Sequence, residues 1–146
     1  DMVNGMIDVL GKHGISLFLH NHDWEFRMID GKIAYDYFVE WCPSVKFEID
    51  TYWAANFGAN NPAEQVAKFA KRTPLLHIKD GSLVKGEPMV AVGKGKMKFP
   101  ELIKAADENV LRWLVVELDC CATDMTKAIE ESYNYLVSSK LGYGNK

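Results

Sequence analysis

The segment VKFEID at residues 45–50 shows the pattern from which the fold of this 146-residue chain can be predicted. It is a short apolar strand that ends in two acidic residues, Glu48 and Asp50. Three further segments are likewise short and mainly apolar: ISLFL at 15–19, LLHIK at 75–79 and WLVVEL at 113–118. Short apolar runs without helical periodicity are typical of strands that are buried in a parallel sheet. The sequence therefore predicts four such strands.

Segments with helical periodicity flank each predicted strand. They span about 2–13, 34–41, 61–70, 99–106 and 124–138, and a small hairpin is predicted at 24–33. Alternation of strands and helices predicts an α/β fold with a parallel sheet and helical crossovers. Four βα units are half of a (β/α)₈ barrel, which needs about 250 residues. An open four-stranded α/β sandwich is the alternative. No linker-like stretch divides the chain, so we expect one structural unit.

The composition excludes several functional classes. The chain is 48% hydrophobic and 25% charged, as expected for a globular domain. Its formal net charge is −3, whereas a domain that binds nucleic acid has a basic excess. No apolar run approaches the roughly 18 residues of a membrane span. Cys42, Cys120 and Cys121 have neither disulfide-framework nor zinc-ribbon spacing, so we expect a reducing compartment, the cytoplasm.

Acids and histidines follow the apolar part of every predicted strand. The four pairs are His20 and His22, Glu48 and Asp50, His77 and Lys79, and Glu117 and Asp119. Residues two apart lie on the same side of a strand, and barrel active sites lie at the carboxyl ends of the strands. Buried charges are costly unless they are paired or bound to a metal. We therefore expect a divalent cation, Mn²⁺, Co²⁺, Zn²⁺ or Mg²⁺, with a structural ion-pair network as the alternative.

Five segments resemble the sugar phosphate isomerase/epimerase family of xylose-isomerase-like barrels. They are LFLHNHDWEF (17–26), FEIDTYWAANFGANNP (47–62), LLHIKDG (75–81), VGKGKMKF (92–99) and VVELD (115–119). The resemblance implies that residues 1–146 are the C-terminal half, strands five to eight, of a (β/α)₈ TIM-barrel domain. It also implies a metal-dependent isomerase or epimerase that acts on a sugar or keto-sugar, with or without a phosphate, by proton transfer through an enediolate.

The resemblance implies a ligand set for the metal, most often Mn²⁺. Family members take one ligand from each of the last four strands, and the matching residues here are His20, Asp50, His77 and Glu117. The first of these departs from the family pattern, which has Glu at that position. His22 and Glu25 are the alternatives for this fourth ligand.

The resemblance also implies catalytic and substrate-binding roles. Glu117 is expected to take or give the proton, and His20, His22 or Glu25 to return it on the opposite face. Lys79 is expected to stabilise the oxyanion. The expected substrate contacts are Trp24, Glu48 and Trp53.

Several alternatives stay open. An inosose dehydratase-like lyase is the nearest enzyme, and a non-catalytic carbohydrate-binding module is the alternative outside catalysis. Endonuclease IV-like hydrolases share the barrel, but they use a three-metal cluster with more histidines. The Gly93-Lys94-Gly95 motif lacks the full pattern of a phosphate loop. The expected partner is a small sugar. Because a half-barrel exposes two sheet edges, we also expect a homodimer or the remnant of a longer chain.

Overall fold

A computed structural model describes residues 2–144, which form a four-stranded sheet flanked by helices. The strands are β1 (Phe18–His20), β2 (Met28–Ile29), β3 (Lys32–Ile33), β4 (Lys46–Asp50), β5 (Leu75–Ile78) and β6 (Trp113–Val116). The α-helices are α1 (Met2–Gly11), α2 (Ala34–Trp41), α3 (Thr51–Ala54), α4 (Pro62–Phe69), α5 (Phe99–Ala105) and α6 (Met125–Ser138). Short 3₁₀ turns lie at 24–26, 56–58 and 70–72. None of the helices within 2–144 is long and apolar enough to cross a membrane.

The order of the strands distinguishes a barrel wall from an open sandwich. The main sheet runs β1-β4-β5-β6, and every neighbouring pair is parallel. Chain order and spatial order therefore agree, whereas a doubly wound sheet reverses its order at a switch point. Four parallel strands in unreversed order are the arrangement of one half of a (β/α)₈ barrel. The predicted α/β half-barrel is confirmed.

One face of the sheet packs on the helices and forms the core. Phe47 and Ile49 of β4, with Leu76 and Ile78 of β5, point to this face and are fully buried. The register places Ile49 beside Leu76, so these side chains form one continuous apolar layer. Residues at the alternate positions point to the other face. The polar side chains near the carboxyl ends of the strands therefore share the face that the helices leave open.

Local chemistry explains where several elements begin. The Oδ1 of Asn61 accepts the N–H of Ala63 at 3.1 Å, and Pro62 opens α4 without needing a hydrogen-bond partner. Asp124 caps α6 in the same way. Asp30 and Gly31 both have positive φ, 49° and 81°, which is the geometry of the two-residue turn predicted between β2 and β3.

The edges of the sheet differ from the sequence prediction. The first strand begins at Phe18, and Ile15 is 54% exposed outside it. No residue of α1 is fully buried, and Ile129 and Tyr133 of α6 are about half exposed. β1 and β6 are the two edge strands, so among residues 2–144 no further strand extends the apolar surface for the helices beside them.

Candidate metal and active site

The register of the sheet brings the predicted site residues to one edge. His20 lies beside Glu48 across β1 and β4, and Asp50 lies beside His77 across β4 and β5. Glu117 follows β6 directly, and its backbone N–H donates to the carbonyl of Ile78. Residues from four different strand ends therefore meet above one edge of the sheet.

Three of these residues form a compact group of metal-ligand atoms. His20, Asp50 and His77 each offer one such atom, and these atoms all lie within 4.8 Å of one another. Asp50 Oδ2 is 3.7 Å from His77 Nδ1 and 4.0 Å from His20 Nε2. Glu117 Oε2 is 2.8 Å from His77 Nδ1. The structure thus brings all four predicted ligands together.

Unsatisfied polar atoms point to the same position. His77 Nδ1 is buried without a hydrogen-bond partner of acceptable geometry, and the buried Asp50 Oδ2 is ion-paired with Lys79 Nζ at 3.1 Å but accepts no well-aligned hydrogen bond. Glu117 Oε2 is close to His77 Nδ1 but does not complete a well-aligned hydrogen bond. Leaving a buried polar atom unpaired costs about 1–3 kcal/mol. Two imidazoles with two carboxylates are a donor set that suits Zn²⁺, Mn²⁺ or Co²⁺, so these residues fit a divalent cation.

Lys79 is a buried cation among carboxylates rather than a solvated residue at the rim. Its side chain is 1% exposed. Its Nζ lies 3.1 Å from Asp50 Oδ2, 2.9 Å from Glu117 Oε2 and 2.9 Å from Asp119 Oδ2. Burial opposes the charged amine, but the three carboxylates outweigh it, and the pKa of Lys79 is raised. Lys79 is therefore held as a cation.

The site carries more negative charge than Lys79 neutralises. The carboxylates of Glu48, Asp50, Glu117 and Asp119 number four, so beside Lys79 they leave an excess of three negative charges once His77 is neutral, as it must be to bind a cation. Like charges this close repel each other strongly where solvent is partly excluded. A divalent cation among the carboxylates would offset most of this excess. Electrostatics and ligand geometry therefore favour the same occupant.

The two histidines of the group differ in protonation. Burial opposes the charged form of His77, but Asp50, Glu48 and Glu117 outweigh burial, and the pKa of His77 is raised above 6.5. Burial, together with the nearby His77, lowers the pKa of His20. His20 is therefore neutral near pH 7 and ready to act as a ligand. His77 has to release its proton before it binds a cation.

The carboxylates have distinct supporting contacts. Burial favours the protonated form of Glu117, but Lys79 and then His77 outweigh it, so the pKa of Glu117 is lowered. Glu48, for which a substrate contact was predicted, lies with Oε1 at 3.1 Å from His77 Nε2. A carboxylate in this position orients the imidazole and directs its other nitrogen toward the centre of the site.

The other predicted site residues lie beside this group rather than within it. The Oε2 of Glu25 accepts the backbone N–H of His22 at 2.8 Å. The ring of His22 stacks on Trp24, with 4.2 Å between the ring centroids. Neither residue joins the compact ligand group, which contains His20 instead. Lys79 Nζ lies 5.6 Å from the centroid of the Trp53 ring. The buried Nε1 of Trp53 has no hydrogen-bond partner in the described chain.

Two supporting residues were not singled out from the sequence. Asn21 is fully buried and clamps Asp50: its Nδ2 donates to the Asp50 carbonyl and its Oδ1 accepts the Asp50 N–H, both at 3.0 Å. Asp80 is fully buried one residue beyond Lys79. The sequence signal for both was a polar residue directly after an apolar strand, where the chain turns away from the sheet.

A large groove in the described chain lies away from these residues. It has a volume of about 590 Å³ and runs along β6 and α6, past Trp113, Tyr133 and Val137. Glu117 and Asp119, in contrast, have side chains that are 44% and 42% exposed. The ligand group therefore lies on an open face of the sheet and not at the bottom of a closed cavity.

Comparison with known proteins identifies the fold family. The model of the xylose isomerase-like TIM barrel family matches residues 1–138. Two solved structures of sugar phosphate isomerase/epimerases from Parabacteroides distasonis match 91% and 92% of the chain, at 29% and 31% identity and TM-scores of 0.74 and 0.71. The chain spans about half of their lengths, 48% and 50%. No curated protein matches.

A more distant structure has the same fold. The 3-keto-D-glucoside 4-epimerase from E. coli matches 93% of the chain at 22% identity, with a TM-score of 0.63, over 51% of its own length. The family match over nearly the whole chain agrees with the unreversed parallel sheet and with the polar groups at its carboxyl edge. This chain belongs to the xylose isomerase-like TIM barrel family.

Proposed function

We propose that this chain carries the metal-binding wall of an isomerase or epimerase active site that acts on a sugar or keto-sugar. The observation that carries the proposal is the convergence of His20, Asp50 and His77 within 4.8 Å of one another, with Glu117 in contact with His77. The two relatives from Parabacteroides distasonis, named sugar phosphate isomerase/epimerases, support the substrate class. His20, Asp50, His77 and Glu117 would hold the ion, and Mn²⁺ is our first choice.

Isomerising or epimerising a keto-sugar requires removal of a proton from the carbon beside a carbonyl. A divalent ion, when bound, polarises the carbonyl and the neighbouring hydroxyl of the substrate. Glu117 is the proposed acid/base, because its carboxyl is ionised and 44% exposed to the open face. A carboxylate that is within reach of the substrate carbon acts as the base in such a step.

Lys79 holds the proposed base, Glu117, in its ionised form. Its three ionic contacts are all with carboxylates, including Glu117 Oε2 at 2.9 Å. A fixed cation stabilises the ionised form of Glu117 and restricts the rotamers of its side chain. His22 lies across the group from Glu117 on the β1 side and is the proposed partner for the opposite face of the substrate, with its ring 5.0 Å from that of His20.

The other wall of the active site lies outside these residues in this proposal. We propose that residues 1–146 correspond to the C-terminal half of a barrel domain, since the solved relatives are about twice as long. Substrate would then bind between the open face of this sheet and strands from a longer chain or a second copy. A small sugar is the proposed partner.

The test is proton exchange in deuterated water. The intact protein, with both walls of the active site, is incubated with Mn²⁺ and a panel of ketohexoses, and the carbon positions beside the carbonyl are followed by NMR. We expect deuterium incorporation that depends on Mn²⁺ and is lost in Glu117→Gln. Glu130→Gln, at an exposed position on α6, is the matched control and retains exchange. Sugar binding without exchange would overturn the enzyme proposal in favour of a binding module, and loss of water from the sugar would indicate a lyase.

A further inference from the structure

A fully buried carboxylate, Asp80, is held by backbone N–H groups. Its two oxygens accept four hydrogen bonds of 2.8–3.1 Å, from the N–H groups of Gly81, Gly93, Gly95 and Met97. Within residues 2–144, Asp80 takes part in no ion pair. Four aligned N–H groups are enough to stabilise a buried carboxylate, as they do for anions bound in loop concavities. Asp80 therefore contributes a structural anion three residues beyond His77 of the ligand group.

This arrangement accounts for the Gly93-Lys94-Gly95 motif. Gly93 has a φ of +89°, which disfavours any other residue. A Cβ at Gly95 would lie 2.1 Å from Asp80 Oδ1, too close for any side chain. The glycines are thus needed so that the backbone can wrap around the Asp80 carboxylate. The anion that this loop binds is part of the chain itself, so the loop is not free to bind a phosphate.

The loop continues from Asp80 to the end of the neighbouring strand. We call residues 89–97 the strap. Its first residue, Met89, is buried, and its carbonyl accepts the N–H of Ala122 at 2.9 Å. The sulfur of Met89 lies 3.4 Å from the backbone nitrogen of Asp119. On the helix side, the N–H of Val92 donates to the buried hydroxyl of Ser132 in α6. The strap therefore connects the ends of β5 and β6 with α6.

Asp119 is the point where the strap meets the charged group. Its two carboxylate oxygens lie 3.0 and 2.9 Å from Lys79 Nζ. Unbroken contacts thus lead from Asp80 through the strap and Met89 to Asp119 and Lys79. Hydrogen bonds to a charged group are stronger than those between neutral groups. The contacts of Asp80 with the strap are therefore the strongest in this series of contacts.

We propose that Asp80 is a positioning residue: it fixes the strap and, through Met89, keeps Asp119 paired with Lys79. The inference rests on contacts within the chain and does not depend on the proposed function. If Asp80 has this role, loss of its charge makes the Lys79 amine more accessible to reagents. Asp80 itself makes no contact with that amine in the described chain.

The test measures the reactivity of the Lys79 amine with acetic anhydride by mass spectrometry. In Asp80→Asn the amide retains the size of the carboxylate. Its NH₂ group cannot accept hydrogen bonds, so two of the four N–H groups lose their acceptor. We expect acetylation of Lys79 to become at least about tenfold faster, because two charge-assisted hydrogen bonds to the former carboxylate oxygen are lost. Amide hydrogen exchange at Gly93, Gly95 and Met97 becomes faster as well. The matched control Asp124→Asn, which alters a carboxylate that caps α6, leaves Lys79 unchanged.

A second variant separates positioning from general loosening. Met89→Ala removes the link to Asp119 and leaves the Asp80 hydrogen bonds in place. We expect faster acetylation of Lys79 with unchanged exchange at Gly93 and Gly95. Unchanged Lys79 reactivity in a folded Asp80→Asn variant, or in Met89→Ala if Asp80→Asn fails to fold, would overturn the proposal. Equally accelerated amide hydrogen exchange at the fully buried Phe47 and Ile49 would overturn it too, since that indicates global unfolding.

Discussion

Asp50→Asn separates the structural role of Asp50 from its proposed role as a metal ligand. Asp50 is fully buried, its Oδ1 caps α3 by accepting the N–H of Trp53 at 2.9 Å, and its Oδ2 faces Lys79 and His77. Asn retains the shape and is an equally good N-cap, so α3 keeps its first hydrogen bond. The substitution therefore removes one buried negative charge and little else.

The expected loss of stability without metal is small. Two unit charges 3.1 Å apart, the separation between Asp50 Oδ2 and Lys79 Nζ, attract by about 5 kcal/mol at an effective dielectric constant of 20. Lys79 retains Glu117 and Asp119, and the variant also loses the repulsion between Asp50 and the other carboxylates. The desolvation cost of the Asp50 charge disappears as well. We expect these effects to leave a net loss of about 1–2 kcal/mol in the free energy of unfolding.

The expected loss in the free energy of unfolding is larger in the presence of metal. At a Mn²⁺ concentration about 100 times its Kd, binding adds about 2.7 kcal/mol to the stability of the native chain. Asp50→Asn loses the central ligand, so we expect less than about 0.5 kcal/mol of gain at the same concentration. The assay is urea denaturation with Mn²⁺ and with EDTA. Asp124→Asn, the exposed cap of α6, keeps the full gain. A full Mn²⁺ gain in Asp50→Asn would show that Asp50 is not a metal ligand.

Three further predictions concern pH, packing and association. Because the pKa of His77 is raised in the native chain, its protonation contributes stability that is complete below pH 6.5 and is lost as pH rises through the raised pKa. In EDTA we therefore expect the free energy of unfolding to fall above pH 6.5. His77→Asn abolishes this slope. Ile49→Ala, in the fully buried layer, costs about 3–4 kcal/mol in urea denaturation, whereas Ile129→Ala costs less than about 1 kcal/mol; similar losses would contradict the assigned faces. Because Trp113 is 55% exposed at the edge strand, we expect the chain to sediment as a dimer at micromolar concentration and Trp113→Lys to weaken it; a sharp 16.5 kDa monomer would contradict this.

The sequence predicted the elements well where one local rule was sufficient. The period of apolar residues located the strands at 45–50 and 75–79, and the Asn61-Pro62 pair located the start of α4. The placement of ligand residues followed from one geometric fact: carboxyl ends of parallel strands meet at one edge. That fact needs only the strand boundaries, which apolar runs define clearly.

Contacts between distant residues set the features that the sequence did not predict. The sequence placed His20 in the ligand set but left His22 and Glu25 open as alternatives, because these residues are arranged by the turn after β1, where Glu25 is bound to the backbone of His22 and Asn21 to that of Asp50. The burial of Lys79 depends on carboxylates that lie up to 40 residues away in the chain. No periodicity encodes such contacts, because they form only once the sheet is assembled.

The most direct test of the metal site is anomalous X-ray scattering from crystals of the chain grown with Mn²⁺. We predict one strong manganese peak bounded by His20, Asp50, His77 and Glu117, with ligand distances of roughly 2.0–2.3 Å. His77 Nδ1 and Asp50 Oδ2, both buried and without a well-aligned hydrogen bond, would both be ligands. No peak at this position under saturating Mn²⁺, with Lys79 still paired to Asp50 and Glu117, would contradict the account and leave an ion-pair network in its place.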